Sequence, residues 1–337
     1  MKAVAYKTPG PIDSEDSLVD ITLEKPGAEG RDLLVKIMAV SVNPVDTKVR
    51  MGMQPEGSEW RVLGWDAAGV VDAVGPTVQD FKPGDQVFYA GSIARPGTNS
   101  EYHLVDERIV GRKPTSLSNA EAAALPLTSI TAWEMLFDRL EVKRPTQQGG
   151  NTILIIGGAG GVGSITIQLL RELTDLAIIA TASRPETQDW VRECGAHHVI
   201  DHRQPLAPQV EALGLGAPGF VFSTTQTDKH YADIVELIAP QGRFGLIDDP
   251  EVLDVMPLKL KAVSLHWELM FTRSLFGTPD MAEQGKLLNE VSELVDAGRI
   301  RSTATEVAGK IDAATLRAVH TQIETGTVRG KIVLEGF

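Results

Sequence analysis

Residues 152–173 read "TILIIGGAGGVGSITIQLLREL", and three patterns follow one another in that stretch. "TILII" has the length and branched apolar content of a buried strand. Glycines then crowd the segment from Gly157 to Gly163. After them Val162, Ile165, Leu169 and Leu173 recur at three- and four-residue steps, the spacing of a helix with one buried face. A strand, a glycine turn and a helix in this order give a glycine-rich phosphate loop its meaning. Small residues let the backbone approach a pyrophosphate, and the helix start offers unpaired N–H groups at its positive dipole end. Gly158, Ala159, Gly160, Gly161, Val162 and Gly163 are therefore the expected dinucleotide-binding loop.

Working outward, "LAIIATAS" (176–183) reads as the next strand and "ETQDWVRECG" (186–195) as a short helix stopped by glycine. "HHVID", "GFVFSTT", "GRFGLID" and "VSLHWELMF" are four further strand candidates, with "DKHYADIVELIAP" as a helix between two of them. Six strands alternating with helices imply a doubly wound parallel sheet. An NAD-specific site places a carboxylate at the end of the second strand. Here Ser183 and Arg184 stand at that position, a hydroxyl and a guanidinium suited to a 2′-phosphate. NADPH is the expected cofactor.

Residues 1–124 have a different texture. "KAVAY", "DITLEKP", "DLLVKIMAVSV", "GVVDAVG" and "DQVFYA" are short, β-branched and bounded by Gly and Pro, with little helical periodicity. The tail returns to that style after a helix over roughly 279–298, with "STATEVA" and "GKIVLEGF". The expected architecture is α/β, with a discontinuous β-rich domain (1–124 and 275–337) and an inserted dinucleotide-binding domain (125–274).

Composition narrows the function classes. The chain has 337 residues, 42% hydrophobic and 23% charged, as in globular proteins. A formal charge of −13 argues against nucleic acid or an anionic membrane as main partner. The single cysteine, Cys194, excludes an internal disulfide and a cysteine-zinc structural site. No export signal and no membrane-spanning run is read, so a cytoplasmic protein is expected. "CGAHHVIDH" gathers Cys194, His197, His198 and His202. On a strand His197 and His198 point to opposite faces, so no shared metal ion is expected there.

"GWDAAGVVDAVG", "GGAGGVG" and the terminal "GKIVLEGF" together resemble the medium-chain dehydrogenase/reductase superfamily over essentially the whole chain. "LPLTSITAWEML", "IAPQGRFGLIDDP" and "LHWELMFTRS" resemble its quinone-oxidoreductase branch, in particular a bacterial subgroup labelled zinc-type alcohol dehydrogenase-like. The resemblance implies a GroES-like catalytic domain and a Rossmann domain. Zinc members carry Cys where this chain has Asn43, and Gly-His-Glu where it has Gly64-Trp65-Asp66. Their third ligand falls near Leu127. Catalytic zinc needs three N, S or O ligands, so no metal is expected, and Trp65 is read as walling the space a metal would fill.

The resemblance also sets the expected site. Asn43 donates its amide N–H to the substrate oxygen, Pro44 stiffens the turn, and Asp46 either anchors the loop or exchanges protons. Thr131 lies beside the nicotinamide, as do Ile247 and Asp248, and Phe271 and Thr272, mainly through backbone. Lys331 reaches the phosphates. Trp267 and Glu268 belong to core or interface, the strand carrying them being where members of the family pair as homodimers. The leading expectation is an NADPH-dependent reductase of small-molecule quinones or α,β-unsaturated carbonyls. A zinc alcohol dehydrogenase and an NADPH-binding sensor or scaffold with little turnover are the alternatives.

Overall fold

The computed structural model describes residues 1–14, 16–55, 60–144, 146 and 150–337. The chain divides into two compact units, Met1–Ile130 with Phe271–Phe337, and Thr131–Met270. The first begins with strands β1 (Lys2–Tyr6), β2 (Val19–Thr22) and β3 (Asp32–Ser41). Helix α1 (Pro44–Gly52) follows directly on β3. Then come β4 (Arg61–Val62), β5 (Asp66–Val74), β6 (Gln86–Tyr89), β7 (Tyr102–Asp106) and β8 (Val110–Arg112). Helices α2 (Asn119–Ala123) and α3 (Pro126–Trp133) end this run, and α3 continues into a π-helical segment, Glu134–Arg139.

The parallel sheet of the second unit starts with β9 (Gly150–Ile156), the glycine turn and α4 (Gly161–Leu173). It continues through β10 (Ala177–Thr181), α5 (Pro185–Glu193), β11 (His198–Ile200), α6 (Leu206–Ala212), β12 (Pro218–Ser223), α7 (Thr227–Leu237), β13 (Arg243–Leu246) and β14 (Ser264–Trp267). All six strands are parallel, in the order β11-β10-β9-β12-β13-β14. This is the dinucleotide-binding order 3-2-1-4-5-6. Leu154, Ile156, Ile179, Val221 and Phe244 from the strands pack against Leu206 and Val210 of α6 and Ile234 and Leu237 of α7.

Back in the first unit, α8 (Thr272–Phe276), α9 (Glu283–Asp296), β15 (Ala304–Gly309), α10 (Ala313–Glu324) and β16 (Lys331–Glu335) complete the chain. One sheet runs β15-β16-β3-β5-β6-β8, with β7 also on β3, and a second runs β2-β1-β4. The terminal strand pairs with β3 through Val333 opposite Ser41, while β3 pairs with β5 through Ser41 opposite Asp66. Three distant segments thus meet at one sheet end, bringing Asn43, Asp66 and Lys331 within reach of one another.

The doubly wound sheet and the β-rich unit with a returning tail agree with the sequence. Three local expectations do not hold. Asn43 and Pro44 open helix α1 rather than a simple turn. Residues 313–324 form α10, although no helix was expected there. The strand expected over "VSLHWELMF" stops at Trp267, and Phe271 and Thr272, after it, sit at the start of α8. Among the described residues no helix is long and apolar enough to cross a membrane.

Candidate functional site

In the second unit the glycines do distinct physical jobs. Gly157 has φ of +82°, and a Cβ there would lie 2.3 Å from Thr224 Oγ1. Its N–H donates to Thr181 Oγ1 at 3.0 Å, tying the turn to β10. A Cβ on Gly158 would come 2.9 Å from Ala180 Cβ, and one on Gly163 would come 2.3 Å from the Gly157 carbonyl oxygen. A Cβ on Gly160, by contrast, would make only an ordinary contact, with the Gly157 carbonyl oxygen at 3.6 Å. Gly160 is also the N-cap of α4, and no side chain caps that helix start. The first-turn N–H groups at Gly161, Val162 and Gly163 have no carbonyl partners within the helix. A cradle of backbone donors with small residues around it suits a pyrophosphate, so the residues present fit a nicotinamide dinucleotide.

At the end of β10, Arg184 caps α5 and its Nε lies 3.1 Å from Glu186 Oε1. The Ser183 carbonyl accepts from Arg203 at 2.8 Å. After β13, the Asp248 carboxylate takes the Thr227 N–H at 2.8 Å and the Thr227 hydroxyl, so its side chain pins the start of α7. Ile247 beside it is half-buried, and Thr131 is buried in α3.

The first unit holds a buried polar cluster. Asn43, Asp46, Asp66 and Lys331 are each at most 3% exposed. Asn43 Nδ2 donates to Asp66 Oδ2 at 2.8 Å and more loosely to the Ser41 carbonyl at 3.4 Å. Lys331 Nζ donates to the Val42 carbonyl at 2.9 Å, to Asp66 Oδ2 at 3.1 Å and to Asn43 Oδ1. Asp66 Oδ1 accepts the Leu127 N–H at 2.7 Å. Burial pushes the Asp66 pKa up and that of Lys331 down, and their mutual attraction opposes both shifts.

Two expectations change here. The Asn43 amide is spent on Asp66 and Ser41, so it does not stand ready to donate to a substrate oxygen. The three ammonium donors of Lys331 are spent on Val42, Asn43 and Asp66, so Lys331 does not extend to a phosphate without breaking these bonds. Asp66 and its pairing with Lys331 were missed by sequence reasoning. The available signal was a carboxylate within an apolar strand, which demands a partner.

Asp46 accepts the Asn43 N–H at 2.7 Å through Oδ2, the carboxylate of a capping box. Its other oxygen lacks a hydrogen bond of normal geometry. Burial pushes the Asp46 carboxyl up to about 7, against smaller lowering effects from the Asn43 N–H and Lys331. An unfolded Asp titrates near about 3.9. Between those values the folded chain holds a proton that the unfolded chain has lost, so this stability is full at low pH and is lost as pH rises through about 7. Asp46→Asn keeps an acceptor but cannot ionise. It is expected to flatten the fall in stability between about pH 5 and about pH 8, as measured by urea unfolding. Identical wild-type and variant profiles would take Asp46 out of this role.

Trp65 is fully buried, donates its indole N–H to the Ser92 carbonyl at 3.2 Å and meets Phe271 edge-on, with ring centroids 5.6 Å apart. Gly64 before it has φ of +92°, and a Cβ there would strike Asn99 at 2.5 Å. The Trp65 indole is thus packed on both counts, and it presents no lone pair. Leu127 offers only its backbone N–H. The lone pairs of Asn43 and Asp66 already face an ammonium. These side chains do not fit a zinc ion. Among the described residues no group of three or more His, Cys, Asp or Glu is placed to hold a metal.

Comparison with known proteins gives a consistent pattern. An alcohol dehydrogenase GroES-like domain matches residues 29–115, and a zinc-binding dehydrogenase domain matches residues 194–334. A zinc-type alcohol dehydrogenase-like protein of Staphylococcus aureus is 38% identical over 336 residues, 99% of each chain. The crystal structure of a putative zinc-dependent alcohol dehydrogenase from Rhizobium etli superposes with a TM-score of 0.99 at 65% identity, covering 100% of this chain and 98% of the other. Escherichia coli quinone oxidoreductase complexed with NADPH shares the fold, with a TM-score of 0.82 at 21% identity over 99% of this chain and 100% of that one.

Proposed function

The chain belongs to the medium-chain dehydrogenase/reductase superfamily of oxidoreductases, and from that premise we propose that it transfers hydride from NADPH to quinones or α,β-unsaturated carbonyls without a metal. The observation that carries this reading is the Asn43–Asp66–Lys331 network, which satisfies itself where zinc members of the family bind metal. Residues 1–124 with 275–337 serve as the catalytic domain and 125–274 as the cofactor domain.

NADPH, when bound, supplies the hydride. The start of α4 holds its pyrophosphate, and Ser183 and Arg184 hold the 2′-phosphate. Thr131, Ile247, Asp248, Phe271 and Thr272 flank the nicotinamide, the last four mainly through backbone. Asn43 and Asp46 act by fixing the loop between β3 and α1, and Trp65 packs edge-on against Phe271. In a quinone or enone the oxygen that gains charge is conjugated to the carbon that receives hydride. Such an acceptor needs less polarisation than a plain ketone, which suits a site without a Lewis acid.

The decisive assay is NADPH oxidation across quinones, enones, plain ketones and primary alcohols, on protein purified without chelators and analysed for metal. Turnover of the conjugated acceptors by zinc-free protein is expected. Turnover confined to alcohols with one zinc per chain would overturn the proposal, and no turnover with tight NADPH binding would favour a binding role.

We also assign a homodimer. β14 is an edge of the parallel sheet, and Trp267 and Leu269 beside it are 51% and 53% exposed. Light scattering should give twice the chain mass, and Trp267→Glu should reduce it to one. A wild-type monomer would remove the assignment.

A further inference from the structure

We propose that Glu134 and Glu268 are positioning residues of the nicotinamide site, a carboxyl and a carboxylate that share one proton and fasten the helix carrying Thr131 to the strand ends carrying Ile247 and Asp248. The inference rests on the reading of those three residues as nicotinamide neighbours, and it adds two residues that the reading does not include.

The geometry lies wholly in the second unit. Glu134 follows Thr131 by about one helical turn, where α3 passes into the π-helical segment. The Leu140 N–H closes that wide turn on the Met135 carbonyl at 2.8 Å. Short π-helical turns within α-helices are frequent at functional sites. The segment packs on β14, and Met135 covers Gly245 of β13, where an added Cβ would come 2.2 Å from its sulfur. On the strand side, the Glu268 N–H donates to the Leu246 carbonyl at 3.2 Å, directly before Ile247 and Asp248. A bond between the two glutamates therefore joins the turn below Thr131 to the end of β13.

Charge decides what that bond has to be. Glu134 and the side chain of Glu268 are fully buried, and Arg139 Nε lies 2.9 Å from Glu268 Oε2. Among the described residues no N–H or hydroxyl donor meets either Glu268 oxygen in hydrogen-bond geometry. Two carboxylates beside one guanidinium would leave a net negative charge in the interior, and one proton between the carboxyls makes the group neutral. Burial and then the Glu134 carboxyl push Glu268 up to about 9, against the opposing pull of Arg139. The other charges on the packed elements are engaged elsewhere. Arg243 of β13 donates to the Leu140 and Glu141 carbonyls at 2.6 and 2.9 Å, His266 of β14 bonds with the Ser264 hydroxyl at 2.9 Å, and Asp138 is exposed. A carboxyl raised in this way keeps its proton below about 9 and loses it as pH rises through that value. The fastening is thus present at neutral pH and lost in alkali.

The test compares NADPH with adenosine 2′,5′-bisphosphate, which lacks the nicotinamide, by fluorescence titration of the full chain from about pH 7 to about pH 10. The proteins are wild type, Glu268→Gln and Glu134→Gln. Each variant keeps the side-chain volume and offers a carboxamide N–H to the remaining carboxylate at every pH. In wild type the fastened state falls to about a tenth one pH unit above the folded pKa, so NADPH should bind about 10-fold more weakly near about pH 10, with the bisphosphate unchanged. In both variants NADPH affinity should stay level. A level wild-type profile, a fall of the same size in Glu268→Gln, or an equal fall for the bisphosphate would overturn the inference. Urea unfolding of the same proteins without ligand separates it from the reading on which it rests. Wild type might lose stability through about pH 9 where Glu268→Gln does not, while NADPH binds no more tightly than the bisphosphate at any pH. That result would keep the shared proton but refute Thr131, Ile247 and Asp248 as nicotinamide neighbours, and the positioning role with them.

Discussion

Lys331→Met is expected to destabilise the first unit by about 3–5 kcal/mol, the cost of breaking a buried ion pair by removing one partner. Methionine nearly matches the stem in volume, so the loss comes from charge and hydrogen bonding rather than from a cavity. Asp66 is fully buried and would keep only the Asn43 amide and the Leu127 N–H. Lys331 is the strongest influence opposing the upward pKa shift of Asp66, so removing it drives that carboxyl further up. The sign of the pH effect follows. A carboxyl raised above its unfolded value stabilises at low pH, and that stability is lost as pH rises through the folded pKa. The deficit of Lys331→Met should therefore be small in acid and grow toward neutral and alkaline pH. Asp66→Asn added to Lys331→Met removes the stranded charge and should recover most of the loss. Urea unfolding of the single and double variants at several pH values gives the coupling directly. A single variant as stable as wild type at every pH would mean that the ammonium is not what holds this cluster.

This cluster marks where the sequence stops being legible. The parallel sheet could be read because its signals are local: an apolar run, a glycine turn and a helical face succeed one another from Thr152 to Leu173. That Asn43, Trp65 and Leu127 are poor metal ligands was equally visible from residue identity, although only the family resemblance marks them as positions where a ligand is expected. The Lys331–Asp66 bond joins residues 265 positions apart and depends on β16 and β5 flanking β3 in register. No local pattern encodes that. The consequence for Asn43 was hidden for the same reason, since an asparagine at a loop looks free until its neighbours are placed. Helix α1 is a different kind of miss. Asn43, Pro44 and Asp46 occupy its N-cap, first and third positions, which is a helix-start signature. The surrounding strand-like texture outweighed it. Leu316, Val319 and His320 of α10 likewise carry helical spacing and are all buried, but they fall between two strands of the returning tail.

Gly163→Ala is expected to give a large cofactor defect. Its Cβ would lie 2.3 Å from the Gly157 carbonyl oxygen and 2.7 Å from the carbonyl carbon and Cα of Gly158. Those are backbone atoms of the loop itself, so no side chain can swing aside. Either the start of α4 moves away from β9 or the glycine turn opens. Both displace the N–H groups proposed to meet the pyrophosphate. Overpacking of this kind costs about 1–3 kcal/mol in stability, and a displaced donor set should weaken NADPH by about 100-fold or more. Gly160→Ala separates packing from ligand approach. Gly160 has φ of −72° and its nearest neighbour would be 3.6 Å from an added Cβ, so the free protein should fold unchanged. Its NADPH affinity should nevertheless fall, because the space beside Gly160 is where the phosphate is expected. Thermal unfolding without cofactor and NADPH affinity, measured on both variants, distinguish the two roles. Gly160→Ala with wild-type affinity would move the pyrophosphate away from that residue. Gly163→Ala with wild-type stability and affinity would contradict the tight helix–loop contact on which the cofactor assignment depends.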